Sequence, residues 1–529
     1  MYYLKEQAYF EPLFNNWYAW PYLLPPVQGA RHTVHTHTRI MKSFVNNAHL
    51  HIMASQEPGM SGSDFLACSE DQIEDIKSLI EFTEKECPDL IALSAAVAEL
   101  DELIRTHTNG ESIEYIYEKI PAPLKGYVEL FFDMEHNPSY RLIEGLLYKS
   151  DYYKPQLQTV AFGLVSETNQ RPFVFSTPRL VDDAHMHIDL DFNSPILDRI
   201  LKARQHPLTA EELEALFAQC NCRGGLTKED LFTTEPPKNP HTPVTQGIRL
   251  EYTGHAGFLI ETKDISILID PVIASVHESH IGDVFSFNQL PEKLDYICLT
   301  HSHQDHVNIE TLLQLRHKTD TLVVPKNNGG SIADPSLKLM LQQLNFKVLE
   351  VEDMEEIPLP GGKIIALPFL GEHGDLNIRS KSAWLIEMYG KKLFMGADSS
   401  NLDPNMYHHI HKQVGDLDLL AIGMECVGAP YTWMYGALHT KKVSKQIKNS
   451  RRLNGCDSKI GYGMVEIFKP KEVYIYALGL EPWFNYFMGL DYSDDSEQII
   501  ESNKMLQLCY DSNIKCEKMF GSKTLVFNQ

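Results

Sequence analysis

The spacing of apolar residues divides this chain in two. In the first half it is mainly helical. From Ser69 to Arg105 the intervals predict two acidic amphipathic helices, Asp71 to Lys85 and Pro88 to Arg105, broken at Cys87-Pro88. Residues 111 to 150 read as further helix, most apolar from Leu124 to Met134. Residues 208 to 219 read as a helix capped by Thr209 ahead of Glu211 and Glu212. Period-two runs are few: Val160 to Val165, Phe173 to Phe175, and a Thr/His alternation carrying His32, His35 and His37, which predicts a half-exposed strand.

Thr233 to Pro243 holds four prolines and three threonines and little that is apolar, which marks a linker. Beyond it the pattern becomes short β-rich runs: 248–252, 257–261, 266–269, 294–300, 321–324, 347–351, 364–368, 383–388, 392–395, 418–422, 472–476 and 524–527, with helical spacing at 309–317 and 335–345. Strands in two runs with helices between them predict two sheets packed face to face and covered by helices. The expected organisation is an α+β domain over 1–240 followed by an αββα sandwich over 246–529.

Composition narrows the class. A chain of 529 residues with 43% hydrophobic and 22% charged residues suits a soluble protein of two domains. A net charge of −24 argues against nucleic acid or an anionic membrane as the main partner. No apolar run approaches the ~20 residues that span a bilayer. The start, Met-Tyr-Tyr-Leu-Lys-Glu, shows no secretory pattern, and nine scattered cysteines suit a reducing cytoplasm.

The chemistry centres on Leu-Thr-His-Ser-His-Gln-Asp-His-Val, 299–307, which places His301, His303, Asp305 and His306 between a strand and a helix. Three imidazoles and a carboxylate so close point to metal, and side chains splayed from one turn suit two ions. His185-Met-His187-Ile-Asp189 copies part of this motif but continues alternating, so it reads as a strand with one polar face. Two carboxylates follow later strands beside glycines: Glu372 in Gly-Glu-His-Gly-Asp and Asp398 in Met-Gly-Ala-Asp. Strand ends share an edge, so these loops can converge on the motif, with Asp398 placed to bridge two ions.

Together with Thr253-Gly-His-Ala-Gly-Phe258 and Leu268-Ile-Asp-Pro271, these residues resemble the metallo-β-lactamase fold superfamily from about residue 246 onward. There the third-strand ligand is usually histidine and the metal usually zinc; here Glu372 and His373 compete for that position. A zinc hydrolase of phosphodiesterase, lactonase or thioesterase type is the reading if His373 binds. A hard carboxylate favours iron or manganese. The resemblance leaves the last ligand open: His439 is the nearest candidate and Glu481 the alternative. His255 and Asp270 are implied to be strand-end residues, with Asp270 placed to orient a ligand imidazole.

The length, the added N-terminal half, Gly371-Glu-His-Gly-Asp375 and the step from Glu372 to Asp398 resemble more narrowly the dinuclear-iron β-hydroxylases of antibiotic biosynthesis, the chloramphenicol pathway's among them. That resemblance implies two irons held by His301, His303, Asp305, His306, Glu372 and Asp398, with His439 the candidate for the last position. It makes Glu372 the ligand, leaving His373 beside it in the pocket. It implies O2 as oxidant, electrons from a separate reductase, and an amino acid tethered as a thioester to a nonribosomal peptide synthetase carrier domain. It also implies a homodimer, with the N-terminal half carrying the contact and covering the site. Six basic residues lie between 441 and 452, and Lys441, Lys445, Lys448 and Arg452 among them fall at helical spacing, which suggests a docking face for an acidic carrier. Tyr431, Trp433, Tyr435, Trp483, Phe484 and Tyr486 are candidates for the pocket wall.

Overall fold

The short apolar runs of the second half build two seven-stranded sheets. The computed structural model describes residues 1–528 apart from 58, 59, 61, 108, 167–170 and 281–283. In the first sheet the strands run Val348–Val351, Thr319–Pro325, Leu294–Cys298, Ser266–Ile269, Gly257–Glu261, Ile248–Gly254, Lys523–Phe527. In the second they run Glu356–Leu359, Gly362–Leu367, Ala383–Met388, Lys391–Met395, Leu419–Gly423, Glu472–Tyr476, Lys515–Lys518. Alternation fixes which side chains meet. Leu250, Phe258, Ile267 and Val323 pack against Ile364, Trp384, Ile386 and Leu393 in one core between the sheets. Their neighbours Leu385, Phe394, Leu420 and Val473 face outward onto the helices Pro404–Val414, Ser458–Phe468 and Glu497–Asp511. Both faces of the strands are therefore buried, as near-continuous apolar runs require.

On the other side, Leu259, Leu268, Ile297 and Leu322 face the helices Ile309–Leu315 and Leu337–Gln343. The same core continues into the first half. There an antiparallel sheet, ordered Trp17–Tyr18, Ala8–Phe14, Gln158–Leu164, Met186–Ile188, Cys222–Gly224, is joined by the helices Pro26–His32, Arg39–Gln56, Ile73–Glu86 and Pro88–Arg105. This packing buries Ile309–Leu315 all round. Its polar residues are accommodated by hydrogen bonds: Glu310 accepts from Tyr18 at 2.9 Å and Tyr486 at 3.1 Å, and Gln314 from Arg204 at 3.1 Å. No helix among the described residues is long and apolar enough to cross a membrane, and all nine cysteines are free.

Four expectations are corrected. The Thr/His run is no strand. A π-helix, Thr33–Thr38, joins Pro26–His32 to Arg39–Gln56, started by Pro26 at a position proline favours. His37 stacks flat on Trp17, centroids 3.9 Å apart, and His32 meets Trp20 edge-on. Tertiary contacts thus override the β-propensity of the threonines. Residues 111–150 are not one helix: short 3₁₀ turns lead into a hairpin, Val128–Phe132 with Pro138–Leu142, whose Val128 and Leu130 alternate with exposed neighbours. Phe173–Phe175 is a turn in which the two rings pack on each other and on Trp433. The basic run is helical only over Lys445–Ser450. Two strands of the sandwich go unread in the sequence, Glu356–Leu359 and Lys515–Lys518, and both are short, charged sheet edges.

Candidate metal centre

The strand Leu294–Cys298 delivers the histidine-rich turn, and Asn308 caps the helix beyond it by accepting from Thr311 N–H at 2.8 Å. Beneath the turn, Asp270 ends the neighbouring parallel strand. It accepts from the Thr300 backbone N–H at 2.7 Å and from the Thr300 hydroxyl at 2.5 Å, and it lies 2.7 Å from His306 Nδ1. That contact leaves His306 Nε2 facing inward, the orienting role the resemblance implied for Asp270. His255, Asp270, Glu372 and Ala397 all carry positive φ, 48°, 38°, 68° and 48°. Strained strand-end backbones of this kind concentrate at functional sites.

Three overlapping groups of donor atoms gather here, the atoms in each lying within 4.8 Å of one another: His301, His303, Glu372 and His373; His301, His306 and Asp398; and His255, Asp305 and His306. His303 Nδ1 lies 2.9 Å from Glu372 Oε2, and His306 Nε2 lies 3.0 Å from Asp398 Oδ2. Asp398 Oδ2 is also 3.8 Å from His301 Nε2. His301 and His306 are shared between groups, which makes room for two neighbouring ions. Both Glu372 and His373 come to the site, 7% and 2% exposed. His373 Nδ1 engages the Gly371 carbonyl at 3.1 Å. Burial, with neighbouring imidazoles, pushes His301 and His373 well below the usual histidine range, so both are neutral. Burial pushes the Glu372 carboxyl up to about 7, with His303 opposing.

The donors fit metal. His301 Nε2, His373 Nε2 and Asp398 Oδ1 are buried with no hydrogen-bond partner. Leaving such atoms unsatisfied costs about 1–3 kcal/mol each, and coordination removes that cost. Imidazoles and carboxylates without a thiolate suit iron.

Neither candidate for the last ligand joins these groups. His439 lies against Tyr431, ring centroids 5.4 Å apart, and its carbonyl accepts from Arg31 at 2.8 Å. Glu481 is held by Tyr252, whose hydroxyl donates at 2.6 Å, and by the His255 backbone N–H. His255, read in the sequence as a strand-end residue, does follow the strand Ile248–Gly254, and it also sits 2.9 Å from Asp305 Oδ2. Glu425 escaped the sequence reading. It follows Leu419–Gly423 as Asp398 follows the parallel strand Lys391–Met395: Gly423-Met-Glu425 repeats Gly396-Ala-Asp398 on adjacent strands. That repeat was the available signal.

Tyr435, one of the aromatic candidates, lies 3.0 Å from His303 Nε2 through its hydroxyl, which leaves Nδ1 facing Glu372. Tyr435 itself packs edge-on against Tyr22, which bonds Ser302 at 3.0 Å. The first half thus reaches the metal turn. Tyr435→Phe is expected to weaken metal binding by about 10–100-fold, as loss of an outer partner does, measured by competition with a chelator. Of the other aromatic candidates, Trp433 lines a cavity of about 270 Å3 over the site, together with His303, Asp305, Glu372 and Glu425.

Fold and donor set define a metal-dependent enzyme built on a β-lactamase-superfamily domain. Comparison with known proteins agrees and goes further. The diiron non-heme β-hydroxylase N-terminal domain model matches residues 3–236, and the β-lactamase superfamily domain model matches 266–442. The chain is 34% identical, over 99% of its own length and of the relative's, to the 4-amino-L-phenylalanyl-[CmlP-peptidyl-carrier-protein] 3-hydroxylase of Streptomyces venezuelae. The crystal structure of CmlA, a diiron β-hydroxylase from that organism, superimposes with a TM-score of 0.91 at 34% identity, covering 99% of both chains. A metal-dependent hydrolase of Ligilactobacillus salivarius is 27% identical over 37% of this chain and 83% of its own. The chain belongs to the diiron non-heme β-hydroxylase family, as the sequence resemblance implied, and the hydroxylase reading prevails over the zinc hydrolase.

Proposed function

We propose that this enzyme β-hydroxylates an amino acid held as a thioester on a peptidyl carrier domain. O2 is the oxidant and a separate reductase supplies the electrons. One C–H becomes C–OH, the second oxygen atom leaves as water, and two electrons and two protons are consumed. The observation that carries this reading is the site's mixed donor set, in which Glu372 stands beside His301 and His303 in a chain aligned end to end with a carrier-dependent 3-hydroxylase. His301, His303 and Glu372 would hold one iron, and Asp305 and His306 the second, with Asp398 between them. When bound, the pair supplies the O2 activation that amino-acid side chains cannot. The protein positions the donors through Asp270 and Tyr435. It excludes water with Trp433, Met434, Met488 and Leu490 around the cavity. We place the dimer contact in the first half, as the family resemblance implies.

The basic segment supports carrier docking in a narrower form. Lys445 and Lys448 stand on the short helix Lys445–Ser450, whereas Lys441 lies 3.6 Å from Glu102. Arg452 turns inward to a cavity of about 480 Å3 that also touches Glu372, His373 and Lys381. The reading is tested with an aminoacyl carrier and the matching free amino acid. Tethered substrate is hydroxylated and the free amino acid is not; equal turnover of both would refute it. Reversing Lys445 and Lys448 to Glu is expected to raise KM for the tethered substrate about tenfold with kcat kept, through lost charge complementarity.

A further inference from the structure

Two cavities reach Glu372, and their walls differ. The 270 Å3 cavity has an apolar wall of Ala429, Trp433, Met434, Leu453, Met488 and Leu490, which suits an apolar or aromatic side chain. The 480 Å3 cavity shares none of those residues. Its outer end is marked by Leu402, 61% exposed, and by Ser450, the exposed last residue of the helix Lys445–Ser450. Its inner end is marked by Glu372 and His373, both buried. It therefore leads from the basic segment to the metal donors. Two cations line it with N–H groups to spare. Arg452 makes no side-chain hydrogen bond or ion pair among the described residues, and its Nε is buried. The Lys381 ammonium likewise makes neither. It lies 5.7 Å from the centroid of the Phe369 ring, and the Lys381 backbone bridges to that of His301. Asp375 and Asp457 line the same cavity, so the two cations do not make it a site for an anion. Unmet N–H donors beside carboxylate acceptors, along one passage, fit a neutral chain of amides.

We propose that the 480 Å3 cavity is the channel for the carrier's pantetheine arm, with Arg452 and Lys381 donating hydrogen bonds to the arm's carbonyl oxygens. This rests on the carrier-tethered reading above and adds the route by which the amino acid reaches the metals. Lys445 and Lys448 meet the acidic carrier outside. The arm runs inward past Arg452 and Lys381, the aminoacyl group emerges at Glu372, and its side chain enters the 270 Å3 cavity. Leaving the buried Arg452 N–H unsatisfied costs about 1–3 kcal/mol, and an amide carbonyl of the arm removes that cost. The channel thus favours tethered over free amino acids through contacts remote from the reacting carbon.

Binding is measured by calorimetry on the iron-loaded, O2-free protein with two probes: L-phenylalanyl-pantetheine amide and L-phenylalanyl ethylamide, which share the aminoacyl head and differ in the arm. Wild type is expected to favour the arm-bearing probe by about ten- to a hundredfold, as hydrogen bonds from charged donors allow. Arg452→Met cuts that preference about tenfold, leaves the ethylamide unaffected and keeps the iron content. Arg452→Lys keeps part of the preference, which separates recognition of the arm from a folding defect. Ser63→Trp, which crowds the 270 Å3 cavity instead, weakens both probes alike. No preference in wild type, or an equal loss of both probes in Arg452→Met, overturns the proposal. So does a preference lost in Ser63→Trp and kept in Arg452→Met, which would route the arm past Gly62 and Ser63. Hydroxylation of an aminoacyl carrier by wild type, with the preference unchanged in Arg452→Met, sinks the channel alone. An Arg452-dependent preference without hydroxylation of any tethered aminoacyl group sinks the proposed function instead.

Discussion

Glu372→Ala is expected to lower kcat/KM for β-hydroxylation by more than about 100-fold, beyond the ~10–100-fold that follows loss of an outer partner, and to leave one iron bound per chain. Glu372 is held at the site by strained backbone, φ 68°, and faces His303 Nδ1 at 2.9 Å. Its removal strips the group formed with His301 and His303 of its only carboxylate. His373 is the control. Its ring lies 4.7 Å from that of His303 and its Nε2 has no partner, so it too is in reach of an ion. If Glu372 is the ligand, His373→Ala keeps both irons and loses about tenfold in activity or less. Iron analysis of the two variants decides the matter. Loss of iron from His373→Ala with retention in Glu372→Ala would reverse the assignment.

The second large effect concerns stability. Glu11, fully buried on the strand Ala8–Phe14 of the N-terminal sheet, pairs with Arg179 at 2.5 Å and Arg171 at 3.3 Å, and Arg171 reaches Glu310 at 3.3 Å on the helix after the metal turn. This network joins the two halves. Replacing Glu11 by Gln leaves two buried guanidinium groups with one carboxylate. Breaking a buried pair from one side costs about 3–5 kcal/mol, to be read as a lower urea midpoint at neutral pH. The same pair sets a pH dependence. Burial pushes the Glu11 carboxyl up, but Arg179, by charge and hydrogen bonding, and then Arg171 outweigh it and hold it at about 2, below its ordinary 4.5. A folded-state value below the unfolded one means that stability is present above about 4.5 and is lost as pH falls toward 2. Wild type should lose stability over that window more steeply than Glu11→Gln. Parallel curves would remove Glu11 from the account.

Most of the sandwich was legible because its strands are apolar on both faces and bounded by glycine, proline or charged turns, as at Ile364 to Pro368 and Glu472 to Tyr476. The metal turn was legible because its donors are adjacent in sequence. Legibility failed where distant residues decide. Nothing local to His32, His35 and His37 shows that Trp17 and Trp20 will pack on two of them and hold a helix. The last ligand was sought in a histidine, His439, because spacing cannot show that its carbonyl is held by Arg31, far away in the first half. Glu425 went unread although Gly423-Met-Glu425 copies Gly396-Ala-Asp398. Only the parallel pairing of Lys391–Met395 with Leu419–Gly423 makes that copy meaningful. The basic run misled for a related reason. Helical spacing over 441–452 is real in the sequence, but the helix stops at Ser450, and Arg451 turns in to donate to the Gly374 carbonyl at 2.6 Å.

The central claim is that this chain uses O2, not water, to oxidise a tethered amino acid. It is tested most directly by single turnover: chemically reduced, iron-loaded protein is mixed with an aminoacyl carrier under isotopically heavy O2, and the released amino acid is weighed by mass spectrometry. The account predicts a β-hydroxylated amino acid carrying one heavy oxygen atom. An unmodified amino acid freed by thioester hydrolysis, or a hydroxyl group whose oxygen comes from water, would contradict it.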